Sequence, residues 1–231
     1  MPSPNEIIRS LQEQIRQVAV RPPHGRVTSG SKALDRLFAD EGFQRGTLVE
    51  WLGPKGCGAT TLAMIAAREA CRDGRVLVVV DGARRFYPPA AATYGIGWEN
   101  LIIVRPQKQK DYEWALNQSL HCPAVSAVVC WPEELGSRAY RRLQLAAETG
   151  GSLGLLIRPE GAVNKPSWAD VRLSVRALPT TGKPRIKVEL LRCRGGQDGR
   201  SVELELDDET HTLHLAPELA VATPARRSAE T

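Results

Sequence analysis

No stretch of this 231-residue chain reaches the ~18 consecutive apolar residues that a membrane-crossing helix requires. The opening "MPSPNEIIRSLQEQIRQ" is polar, so no secretory leader is expected, the expected compartment is the cytoplasm, and no membrane partner is expected. Cysteine is sparse and poorly spaced for chemistry. The five, at 57, 71, 122, 130 and 193, are odd in number and contain no C-x-x-C, which argues against both a disulfide framework and a zinc site. His121 beside Cys122 is the one adjacent pair of ligating type, and without a second cluster a buried structural role is expected for it. Aromatics make up only 5% of the chain, and Trp98, Trp114 and Trp168 fall at positions that read as core, so a base-stacking platform is not supported. Charge decides little: Lys plus Arg at 31 against Asp plus Glu at 26 is a mild basic excess that permits nucleic-acid contact without demanding it.

What is present begins with a helix signal. Ser3, Pro4 and Glu6 fit a capping box with proline at the first helical position, and Ile7, Leu11, Ile15 and Val18 recur at helical spacing until "RPPHG" ends the pattern. Residues 1–20 are therefore expected to form an amphipathic helix that packs on the rest of the chain or docks on a partner. Short continuous apolar runs follow: "TLVEWL" at 47–52, "VLVVV" at 76–80, "LIIV" at 101–104, "AVSAVV" at 124–129 and "LGLLI" at 153–157. Runs without alternation suit strands buried on both faces, and helix-forming stretches separate them, which predicts an α/β fold with a mostly parallel central sheet and helices on both faces. The last third alternates instead. "DVRLSVRAL", "RIKVELLRCRG", "SVELELD" and "HTLHL", separated by turn signals, predict a C-terminal antiparallel β-meander. One core domain over 27–215 and a flexible tail over 216–231 complete the expected organisation.

The stretch "GPKGCGATT" meets the phosphate-loop pattern G-x-x-x-x-G-K-[ST] at Gly53, Gly58 and Thr60, but Ala59 stands at the lysine position. Such a loop works because glycines let successive backbone N–H groups surround phosphate oxygens at the positive end of a helix. Gly53, Gly56, Gly58, Thr60 and Thr61 keep that frame, and Lys55 is the one cation within the loop. Magnesium would need an acid at the end of a later strand, where "SAVVCWPEEL" offers Cys130 and Trp131; Glu133 and Glu134 come after Pro132 and read as solvated helix-start residues. Asp81 follows "VLVVV", but no second carboxylate follows in "GARRF". An active ATPase is not expected, and no catalytic residue, metal or cofactor is assigned; a weak ATPase binding ATP with Mg²⁺, or a DNA-binding mediator without catalysis, is the alternative. Trp51 and Trp131 are expected to fill the emptied pocket.

"VTSGSKALDRLFADEGFQRGTLVEWLGPKGCGATTLAMIAAREA" resembles the opening of the RecA recombinase core, and the likeness continues through "VLVVVDGARRFYPPAAATYGIGWENLIIVRP" and "RIKVELLRCRGGQDGRSVELEL". The resemblance implies a RecA-like P-loop NTPase core and marks the departures: the family lysine falls at Ala59, the Mg²⁺-binding aspartate at Cys130, the catalytic glutamate at Ala83 and the phosphate-sensing glutamine near Pro159. Both DNA-binding loops are reduced, to "WPEELGSRAYRR" and "LIRPEGAVNKPSW". This stripped pattern, with "ALDRL", "LVEWLG" and "VELLRCRGG" followed by "VELELDDETH", is similar to the ImuA family. That likeness implies a non-catalytic accessory of translesion synthesis and SOS mutagenesis, with an ImuB-like Y-family protein, an error-prone DnaE-type polymerase and RecA as partners. Arg138, Arg141 and Arg142, and Lys183, Arg185 and Lys187, are candidate contacts for DNA or a partner. Such contacts would add only salt-dependent, nonspecific affinity for DNA.

Overall fold

The computed structural model describes residues 25–193 and 198–216. Nine strands form one sheet. Its centre is β3 (Leu48–Gly53), which leads through a glycine loop into α2 (Ala59–Ala70). β4 (Val76–Val80), β5 (Leu101–Val104), β6 (Val125–Cys130) and β7 (Leu153–Pro159) lie parallel to it, in the spatial order β3-β7-β6-β4-β5. These are the apolar runs of the sequence, and every residue of β3 and β6 is buried. The reason is coverage from both sides. Leu62, Met64, Ile65 and Ala66 of α2 pack on one face, while α4 (Gln109–His121) and α5 (Ser137–Gly150) pack on the other through Leu116, Leu120, Tyr140 and Leu143. Full burial of each such Leu or Ile side chain contributes about 1.5–3 kcal/mol.

On the other side of β3 the sheet changes direction. β8 (Val171–Leu178) runs parallel to β3, and β9 (Arg185–Cys193), β10 (Ser201–Asp207) and β11 (Thr212–Leu215) follow as an antiparallel meander. β8 therefore belongs to both halves. Its alternation is clear, with Val171, Leu173 and Val175 buried, and Ile186, Val188 and Leu190 of β9 continue the same core-facing row. A small separate sheet pairs β1 (Arg26–Val27) with β2 (Phe43–Gln44). Between them α1 (Lys32–Asp35) is capped by Ser31, and the buried Asp35 accepts from the Ser29 N–H at 2.7 Å. That bond is the physical content of the "SGSKALD" signature. α3 (Pro89–Thr93) completes the helices described.

Several sequence expectations shift or fall. The strand edges move by one or two residues: β3 takes in Gly53, β6 ends at Cys130 and β7 runs on to Pro159. The helix expected over 1–20, and all of the 216–231 tail except Ala216, lie outside the described residues. Trp98, Trp114 and Trp168, expected in the core, are 56%, 65% and 43% exposed. Trp98 sits in a turn leading into the edge strand β5, Trp114 lies on α4 off its buried stripe of Tyr112, Ala115, Leu116 and Leu120, and Trp168 is in the crossing to β8. His121 is exposed at the last position of α4 rather than buried. Glu133 and Glu134 precede α5 in a loop and pair with Arg85 and Lys165. Among the described residues no helix is long and apolar enough to cross a membrane, and no group of three ligating side chains could hold a metal.

Candidate functional site

The glycine loop retains the shape its sequence promised. Gly56 and Gly58 hold φ of 78° and 92°, and Gly58 is the N-cap of α2. Close packing also restricts two positions. A Cβ on Gly53 would lie 2.3 Å from the Val175 carbonyl oxygen of β8, and one on Gly58 would lie 2.5 Å from Ile186 Cδ1 of β9. The meander thus rests directly against the loop. Ala59, at the first position of α2, is 4% exposed and belongs to the main core.

The two threonine hydroxyls that follow are both engaged by aromatic side chains. Trp131, just past the tip of β6, donates its indole N–H to Thr60 Oγ1 at 3.4 Å, and its ring lies 6.3 Å from that of Phe86. Thr61 bonds to the Tyr94 hydroxyl, and the Tyr94 ring lies 4.2 Å from that of His211 in the β10–β11 turn. Trp131 therefore occupies the expected place beside the loop. Trp51 does not: it is fully buried on the α2 face of β3, edge-on to Phe43 at 5.9 Å. Asp81 is also committed. Its carboxylate accepts from the Arg85 and Phe86 N–H groups at 2.9 and 2.8 Å and shapes the loop after β4. Cys130 is 2% exposed, and burial pushes its thiol up to about 12, so this position carries no charge for a cation at neutral pH. Lys55 is exposed and lines an open cleft of about 350 Å³ with Glu160 and Arg176, which pair with each other at 3.0 Å.

Next to the loop strand lies a group the sequence reading passed over. Glu50 of β3 is completely buried and accepts from Arg158 Nη1 at 2.5 Å, Arg172 Nε at 2.6 Å and the Tyr140 hydroxyl at 2.8 Å. Burial alone raises the carboxyl's pKa, but the bonds and charges of Arg158, Arg172 and Tyr140 outweigh it, and the pKa lies below its ordinary value. Arg172 also donates to the Val163 and Ala162 carbonyls, tying the crossing after β7 to the sheet. The available signal was one charged residue inside the otherwise apolar "TLVEWL".

The two expected basic groups prove unequal. Arg138, Arg141 and Arg142 lie exposed on α5; Arg141 stands 5.0 Å over the Trp168 ring and Arg142 faces Glu113 at 3.5 Å. Arg185 and Lys187 do share one face of β9, and two of the three cations are ion-paired: Lys183 with Asp207 at 2.7 Å and Arg185 with Glu205 at 3.5 Å, while Lys187 stands in register with Glu203 of β10 on one side and Arg176 of β8 on the other. Cross-strand pairing of opposite charges on the solvated face accounts for that arrangement.

Comparison with known proteins agrees with this architecture. RecA from Chlorobaculum parvum is 32% identical over 103 residues, which are 45% of this chain and 30% of that protein. RecA from Streptococcus mutans is 34% identical over 103 residues, 45% of this chain and 27% of that protein. The chain thus spans less than a third of the length of these relatives. The crystal structure of the RadB recombinase matches with a TM-score of 0.63 at 21% identity, covering 80% of this chain and 97% of that one, so the fold is RecA-like. The RecA N-terminal domain family matches residues 8–129, more than half of the sequence, and the chain belongs to that family.

Proposed function

We propose that this protein is a RecA-fold accessory that does not hydrolyse ATP and acts by docking in error-prone translesion DNA synthesis during an SOS-type response to DNA damage. The observation that carries the reading is the Trp131 indole on the Thr60 hydroxyl, the group that would otherwise face Mg²⁺. Ala59 in place of the loop lysine, the uncharged Cys130 and the ion pairing of Lys183 and Arg185 in the meander support it. The similarity of the sequence motifs to the ImuA family supplies the pathway and the partners: an ImuB-like Y-family protein, a DnaE-type polymerase and RecA. The test is twofold. Calorimetry with ATP and Mg²⁺ is expected to give no metal-dependent binding, and purified ImuB-like protein is expected to co-elute with this chain. Metal-dependent ATP binding together with turnover would overturn the non-catalytic reading, and absence of any partner complex would overturn the docking role.

One observation favours a second reading, a weak nucleotide or anion binder: Gly56 and Gly58 keep left-handed backbone, and Lys55 stands free beside them. Metal-independent ATP binding that is lost in Lys55→Ala would select it.

A further inference from the structure

Four cations without an ion-pair partner among the described residues gather where β4 and β5 end. Val80 of β4 is in register with Val104 of β5, and the Asp81 N–H donates to the Val104 carbonyl at 2.8 Å, so the two loops leave the sheet side by side. They also touch further out, since a Cβ on Gly82 would meet the Pro106 carbonyl oxygen at 3.4 Å. One loop carries Arg84, the other carries Arg105 and ends on Lys108, the N-cap of α4, and Lys110 lies in the first turn of that helix; all four are exposed. The neighbouring acids do not cancel them: Glu133 is paired with Arg85, Asp81 is buried on backbone N–H groups, and Asp111 in the first turn of α4 is a single charge. Like charges held this close favour an anionic partner.

The same edge of the sheet carries apolar surface. α4 packs on β4 and β6 and leaves the outermost strand β5 partly bare, with Ile102 50% exposed and Trp98, before the far end of the strand, 56% exposed; Tyr87, three residues after Arg84, is 70% exposed. At about 3.3 Å per residue, Ile102 lies roughly 10 Å from Arg105 along the strand. Aromatic and aliphatic side chains bordered by charge are the composition of a protein interface. Bases would stack on Tyr87 but have no use for Ile102.

We propose that the end of β4 and β5 is a docking face for an external protein segment that is apolar at its centre and acidic at its flank. The nearer occupants carry no acidic excess. Residues 1–24 carry three Arg against two Glu, residues 217–231 carry two Arg against two Glu, and a second copy of the chain has a net charge of +5. Of the meander's acids, Asp207 and Glu205 are already paired with Lys183 and Arg185 of the same chain. The inference rests on the docking role proposed above and names the face that performs it.

The test uses the full chain, the variants Lys108→Glu/Lys110→Glu and Ile102→Ala, and four probes: purified ImuB-like protein, a synthetic leucine–glutamate peptide, its leucine–lysine counterpart and oligothymidylate. Melting temperatures serve as the folding control, and a charge-reversed variant that melts early is replaced by Arg105→Gln. The expected result is that the wild type binds the ImuB-like protein and the acidic peptide but not the basic one. The double reversal is expected to weaken binding roughly tenfold or more, and Ile102→Ala severalfold. If the ImuB-like protein binds wild type and variants equally, this face is overturned while the docking role stands. If only the acidic peptide binds, with the same losses, the face stands and that partner falls. Preferential binding of oligothymidylate, sensitive to Lys108 and Lys110 but not to Ile102, overturns the proposal in favour of a nucleic-acid site.

Discussion

The Trp131 indole N–H, just past the tip of β6, donates to the exposed hydroxyl of Thr60 in the first turn of α2 at 3.4 Å. A lysine placed at position 59 would then supply charge to a loop whose Thr60 hydroxyl still accepts from the indole. Ala59→Lys alone is therefore expected to give no ATP binding that depends on Mg²⁺. Combined with Trp131→Ala it is expected to produce binding that strengthens with Mg²⁺, measured by calorimetry. Phosphate release is expected to stay at background in both, because positions 83 and 130 carry no carboxylate.

The buried ion group gives a stability prediction. Glu50→Gln keeps the shape of the side chain but leaves Arg158, 3% exposed, and Arg172 without their carboxylate. Removing one partner of a buried pair costs about 3–5 kcal/mol, since the remaining charge has lost its compensation. Tyr140→Phe removes the hydroxyl that donates to Glu50 and accepts from Ser167 Oγ at 3.3 Å but leaves every charge paired, and about 1–2 kcal/mol is expected. Urea unfolding of the two variants checks both the size and the order.

Glu50 and Trp168 also define what could be read from the chain before its structure. Continuous apolar runs identified the parallel strands because helices on two faces leave no solvated side, and alternation identified the meander because one of its faces is wet. Periodicity cannot say which element lies above which. The Glu50 cluster gathers residues from β3, β7, β8 and α5, up to 122 positions apart, so no local pattern contains it. Trp168 was misplaced for a related reason: its polar edge bonds to Ser137 Oγ at 3.0 Å and its ring lies beneath Arg141, which lets a large aromatic stay partly exposed. The glycine loop was legible as a turn because that is written in consecutive residues, whereas the bonds of Trp131 and Tyr94 to Thr60 and Thr61 depend on residues from other segments.

The lowered pKa of Glu50 makes the fold sensitive to acid. A carboxyl whose folded value lies below its ordinary 4.5 contributes stability that is present above that pH and lost as the pH falls through the folded value. Asp73 behaves the same way below its ordinary 3.8: burial raises it, but bonds from Ser126 and Arg75 and the charge of Arg45 bring it down. Stability measured by urea at a series of pH values is expected to be flat above about 5 and to fall below that. The fall is expected to be shallower in Glu50→Gln. An unchanged slope in that variant would show that Glu50 is not the titrating group.

Gly58 offers the most direct measure of how the loop is held. Its φ of 92° penalises any side chain, and the new methyl of Gly58→Ala would also meet Ile186 Cδ1 at 2.5 Å. The backbone part costs of order 1–3 kcal/mol and remains whatever happens at position 186. The contact part can be relieved, because Ile186→Val deletes Cδ1 and leaves Cγ1 at 3.1 Å, at its own cost of about 0.5–1.5 kcal/mol. The double variant is therefore expected to be more stable than the sum of the two single losses, with the excess equal to the relieved clash. Chemical unfolding of all four proteins measures that coupling. A positive coupling means that β9 of the meander, packed against the loop, holds its conformation without a bound phosphate; simple additivity would mean that the loop moves away from Ile186 at no cost.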